Sequence, residues 1–224
     1  MYVPYLGCEQ KSIASVGGLH PYPIFDKNNT LQRNAVYDFL NHAKSFGNMY
    51  PTGKSISPWY AVWLATALAL LGDTEKPVEL LLHASQSAGY FGETFEINEP
   101  GLISCPWFSS AAGSYVYALN QMLIQCKEEK IWIAPAISKD WNDYSFKLAC
   151  YGNLTATINV KKGKLTELLL SPGKPNIPAY RTIIIPERLV EPRKVNKKAV
   201  SSMEIKDGYY FIDVQITNQT NLFL

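Results

Sequence analysis

The chain has 224 residues, of which 47% are hydrophobic and 18% charged, with a formal net charge of +2. That balance suits one large globular domain or two small ones, and excludes a disordered or collagen-like chain. Lys and Arg are scattered rather than striped, which points away from nucleic acid.

The opening MYVPYLGCEQ has no basic n-region, apolar core or cleavage site, so no secretory leader is expected and a cytoplasmic location follows. The longest apolar run, residues 59–71, is too short for a membrane span, which needs about 20 residues. Cys8, Cys105, Cys126 and Cys150 are far apart and form no CxxC pair. This spacing points to free thiols in a reducing compartment, and away from zinc or redox chemistry; no metal or cofactor is expected. The 14 Tyr, 9 Phe and 5 Trp are the one unusual feature of the composition. Aromatic rings concentrated in loops would suit sugar, because they present flat apolar faces with polar edges.

In chain order, the first predicted helix is Leu31–Phe46. It carries Leu31, Val36, Phe39, Leu40, Ala43 and Phe46 at three-to-four spacing, with Asn29 or Thr30 as N-cap. Ser57 caps a second helix with Pro58 in its first turn, running through Trp59–Leu71 to Gly72. That helix is apolar on nearly every side, so it should be buried. Asp73 or Thr74 caps a third, through Pro77 to Ala88, and a fourth spans about Ser109 to Cys126. Small residues at the start of the fourth allow close packing. Only Gly72-Asp73 separate helices two and three, whereas 47–57 and 89–107 are long connections. In an up-down array these two long connections fall at the same end.

After residue 130 the signal turns to short β-rich runs, at 130–134, 144–151, 154–160, 165–170, 180–185, 209–216 and 221–224. Lys162-Gly163 and Asp207-Gly208 are turn signals between them. The fold class expected is α+β: helical hairpins over 1–128, then an antiparallel β-sandwich over 129–224.

The order of SPWYAVWLATALALLGD, FGETFEINEPG, SCPWFSSAAGSYVYALNQMLIQ and KIWIAPAISKDW resembles the C-terminal part of (α/α)6-barrel glycoside hydrolases. The alpha-L-fucosidase and maltose or kojibiose phosphorylase types are the nearest in pattern. Their last inner helix is followed by I-x-L-x-P-A-L-P-x-x-W and a β-domain, matched here by Ile131 to Trp141 and the strands beyond. The likeness spans roughly residues 50–170. It implies a partial toroid with a β-sandwich cap, acting on or binding an oligosaccharide, with a non-catalytic binding or structural module as the alternative. Four helices are far fewer than the twelve of a whole barrel. The apolar second helix should then leave an uncovered patch, met by self-association or by a separately encoded N-terminal portion.

The resemblance places the site at the N-terminal ends of the inner helices, near Tyr50, Trp59, Glu93, Glu96, Glu99 and Trp107. Glycoside cleavage takes two carboxyl groups, one protonated and one charged. Glu93 and Glu96 are the catalytic candidates, and Glu99 the hydroxyl-binding one, against a solvated edge for all three. Trp59 and Trp107 are stacking platforms or core. The fucosidase-type motif P-F-Q-I-D-G-N falls on Pro106 to Ala112, so the family's base becomes Ser110, which weakens that reading. The phosphorylase type instead holds phosphate with a serine pair, implying that role for Ser109 and Ser110, with plain helix capping as the alternative. His20 either lines the same cleft or is a satisfied surface histidine.

Overall fold

The computed structural model describes residues 16–22, 28–43, 57–89, 96–98, 102–105, 107, 109–174 and 179–223. The chain divides into two units, Met1–Met122 and Leu123–Leu224.

The first unit carries α1 (Thr30–Ala43), α2 (Pro58–Leu70), α3 (Lys76–Ser85) and α4 (Ser109–Leu123, which runs to the unit's end). Asn29 caps α1, its Oδ1 accepting the Gln32 N–H at 2.9 Å. Ser57 occupies the N-cap of α2 but makes no side-chain cap bond, and Pro58 sits in the first turn. Its φ is locked for helix and its missing N–H has no partner to lose there. The far end stops at Gly72, whose φ of 81° only glycine adopts cheaply. Asp73 N then donates to Leu68 O at 3.0 Å, closing the last turn. Asp73 next caps α3, its Oδ1 accepting from Glu75 N and Lys76 N, while Oδ2 accepts from Tyr37 on α1. One aspartate thus ties three helices at the α2–α3 turn.

Ala61, Val62, Leu64, Ala65, Ala67, Leu68 and Ala69 of α2 are all buried. The middle of this uniformly apolar helix therefore finds cover inside this chain, while Trp59 at its start stays exposed. Thr66, also buried, satisfies its hydroxyl on Val62 O one turn back. Other exposed apolar side chains of this unit include Leu31 of α1, Leu82 of α3 and Val116 of α4.

The stretch 89–107, expected as an open loop, holds a two-stranded antiparallel hairpin, β1 (Glu96–Asn98) and β2 (Leu102–Cys105). Pro100-Gly101, read as a loop boundary, falls between the two strands. The fourth helix ends at Leu123 rather than near Cys126, because Ile124–Lys127 is a strand, β3, opening the second unit.

That unit has two antiparallel-rich sheets. The five-stranded one runs β3, β4 (Lys130–Ile133), β8 (Ala179–Pro186), β10 (Tyr209–Ile216), β9 (Val200–Lys206), with β4 and β8 parallel. The four-stranded one runs β11 (Thr220–Asn221), β7 (Lys164–Pro172), β6 (Leu154–Lys161), β5 (Tyr144–Cys150). Strict alternation sets the buried face: Leu154, Ala156, Ile158 and Val160 on β6 and Tyr210, Ile212, Val214 and Ile216 on β10 are buried, with more open residues between. Lys162-Gly163 and Asp207-Gly208 make the hairpin turns, all four at positive φ as such turns require. The run 134–138 following β4 is buried, and Arg188 Nη2 donates to Ile137 O at 2.7 Å. Among the described residues no helix is long and apolar enough to cross a membrane.

Candidate functional site

Of the residues singled out by sequence, Tyr50, Glu93 and Glu99 lie outside the described residues. Glu96 stands on β1, paired in register with Cys105. Trp107 precedes α4 at φ 57° and is 67% exposed, a conformation unusual for a bulky side chain. Its carbonyl accepts the Ser109 N–H at 2.8 Å. Ser109 and Ser110 are exposed in the first turn of α4.

Trp59 and His20 are brought together in one aromatic face of the first unit. Trp59 and Trp63 are four apart on α2 and so share a side of the helix. Their rings sit 5.8 Å apart, tilted by 38°. Tyr60 stacks on Trp59 at 5.8 Å and 14°. Trp63 meets His20 edge-on at 6.2 Å, and its indole N–H donates to the His20 carbonyl. His20 in turn stacks on Tyr117 of α4 at 5.3 Å. Five rings therefore form a continuous array, ordered Tyr60, Trp59, Trp63, His20, Tyr117. Trp59 is 37% and Tyr117 44% exposed, while Tyr60, Trp63 and His20 are half-buried.

Burial governs the charge of this face. It lowers the His20 pKa and raises that of Tyr117, so both are neutral near pH 7. His83, buried on α3, is lowered for the same reason, partly offset by a hydrogen bond with Gln86. For both histidines the unfolded chain, with pKa near 6.5, binds protons more readily than the fold. Their contribution is thus complete above pH 6.5 and lost as pH falls below it. An NMR titration is expected to give both imidazoles pKa values under 6.5, with thermal stability of the helical unit falling from pH 7.5 to 5. A value above 6.5 for either would reverse that sign.

Trp63, Tyr60 and Tyr117 were not among the sequence candidates. Trp63 was findable, as the residue one turn beyond Trp59 on a helix already drawn. Tyr117 joins only because the unit places α4 beside residues 16–22, a relation no local pattern encodes.

A concave feature lies wholly in the β-unit. A cleft of about 370 Å³ is lined in part by Glu129, Gly152, Asn153, Lys174, Tyr180 and Arg181. Arg181, 9% exposed, donates through Nη1 to the Glu129 carboxylate and to Tyr180 O. Its Nε is buried without a partner among the described residues.

No family model and no curated protein matches this chain. The aromatic face offers flat apolar rings edged by a tyrosine hydroxyl and an imidazole, both uncharged. Such a surface suits a neutral ring with one apolar face and polar rims, which is the chemistry of a pyranose.

Proposed function

We propose that this chain is a glycoside hydrolase-like protein that holds an oligosaccharide on the aromatic face of Trp59, Tyr60, Trp63, His20 and Tyr117. The observation that carries this reading is the continuous array, in which the Trp59 and Tyr117 rings are exposed. Two sugar rings would stack on Trp59 and Tyr117, with His20 giving a neutral hydrogen-bonding edge. The segment Gly92–Gly101, through Glu93, Glu96 and Glu99, would supply carboxylates, and Ser109 and Ser110 would meet hydroxyl or phosphate oxygens. Catalysis rests on the likeness to (α/α)6 enzymes, with the first unit as part of a toroid and the second as its sandwich cap. Binding without turnover rests on the aromatic face alone.

Two substitutions separate these readings. Glu93→Gln and Glu96→Gln should abolish any oligosaccharide cleavage while leaving binding within a few-fold; unchanged cleavage would remove both from catalysis. Trp59→Ala should weaken oligosaccharide binding about tenfold or more, roughly 1.4 kcal/mol per tenfold.

The toroid reading also needs a partner, either a second copy or a separately encoded N-terminal portion. Leu31, Leu82 and Val116, all exposed, are the apolar side chains such a contact would cover. Light scattering is expected to give a mass above the 25.1 kDa of one chain. A monomer at high micromolar concentration would leave only the separately encoded partner.

A further inference from the structure

Cys126 and Cys150, distant in sequence and unpromising by spacing, meet in the β-unit. Cys126 lies on β3 of the five-stranded sheet and Cys150 ends β5 of the four-stranded one, and these strands pack against each other. The two side chains are neighbours there, each the leading influence on the acidity of the other. Cys126 is half-buried and Cys150 buried, and both are free thiols. We propose that Cys126 and Cys150 form a redox-active dithiol, oxidised by hydrogen peroxide to a reversible disulfide that links the two sheets.

The surroundings assign the two roles. The Cys150 side chain draws the Cys126 pKa down, helped by a backbone hydrogen bond from Tyr151 and by the Arg181 charge. Cys126 and burial push Cys150 up. Cys126, the more open of the two, is therefore the sulfur that peroxide reaches and that attacks it, and buried Cys150 is the thiol held in reserve beside it. The Cys126 sulfur attacks one peroxide oxygen and the O–O bond breaks. The other oxygen leaves as hydroxide and takes up the thiol proton as water. Sulfur now carries a hydroxyl, oxidised by two electrons, and the peroxide is reduced by two. The Cys150 sulfur then displaces that hydroxyl, forming the S–S bond. Its own proton leaves with the hydroxyl as a second water. Two thiols and one peroxide give one disulfide and two waters; an external dithiol reverses it by exchange, becoming oxidised itself.

This site is independent of the carbohydrate reading. The test uses the full chain, reduced with dithiothreitol, desalted, exposed to a few equivalents of hydrogen peroxide, then alkylated, digested and mass-mapped. A 126–150 cross-linked peptide is expected, with dithiothreitol restoring alkylation of both residues. The cross-link should raise the melting temperature of the β-unit by on the order of 10 °C, because it closes a loop in the unfolded chain. Both thiols remaining alkylatable, or a cross-link to Cys8 or Cys105, would overturn the proposal. In Cys150→Ser, Cys126 should stop at the sulfenic acid and be trapped by dimedone. Absence of that adduct, where the wild-type disulfide forms, would overturn the assignment of Cys126 as attacker.

Discussion

Gly152→Ala is expected to lower the melting temperature of the β-unit by about 10–30 °C. Gly152 joins β5 to β6 at φ +78°, followed by Asn153 at φ 59°. An alanine there carries a left-handed cost of about 1–2 kcal/mol. The second cost is specific to this turn. A Cβ on Gly152 would stand 2.1 Å from Arg181 Nη2, so the guanidinium must move. Moving it breaks the Glu129 pair and the 2.7 Å bond to Tyr180 O, from a side chain that is 8% exposed. The exposed Glu129 tolerates this, but the Arg181 donors do not. The two costs together are about 2–4 kcal/mol, and each kcal/mol moves the midpoint of a small domain by about 4–8 °C. Gly208→Ala is the control: it has the same φ of +78° with nothing within 4 Å, so it pays the backbone cost alone. Equal losses for the two variants in thermal unfolding would show that the Arg181 contact contributes nothing.

Trp63→Ala should destabilise the helical unit by about 2–4 kcal/mol and also weaken oligosaccharide binding at least tenfold. Trp63 is the middle ring of the array, touching Trp59 on one side and His20 on the other, and its N–H satisfies the His20 carbonyl. Truncation removes a large half-buried side chain and releases both neighbours. Trp63→Phe keeps a ring but drops the donor, and should cost about 1 kcal/mol, the worth of one hydrogen bond. Chemical denaturation followed by far-UV circular dichroism measures both. If the alanine variant unfolds like the phenylalanine one, the array is not held together by Trp63.

The residues that were legible in the sequence are those whose role is local. Asn29, Pro58, Gly72 and Asp73 mark helix ends because capping chemistry acts within four residues. The alternation in β6 and β10, and the Lys162-Gly163 and Asp207-Gly208 turns, were equally visible. What escaped depends on pairing or on neighbours. β9, sequence VSSMEIK, is exposed along nearly its whole length and has no apolar face to announce it. IQCK of β3 fits the end of a helix or a strand equally by periodicity, and only its pairing with β4 decides. β1 and β2 were hidden in a stretch where Gly and Pro signalled a loop. The apolar α2 was correctly read as buried, but not by what, since cover is a property of the whole unit. For the site, Trp59 and His20 came from the sequence. The array that joins them to Trp63 and Tyr117, and the meeting of Cys126 with Cys150, are products of tertiary packing.

The central claim, that the aromatic face holds a sugar, is tested most directly by saturation-transfer NMR and tryptophan fluorescence with a panel of neutral oligosaccharides. The wild-type chain should transfer saturation to the C–H protons of one pyranose face, and quench or shift tryptophan emission on the same titration. Trp59→Ala and Tyr117→Ala, both at exposed rings, should each remove most of that transfer while the fold, checked by circular dichroism, stays intact. Transfer that persists undiminished in the folded double variant would place any sugar elsewhere and contradict the account.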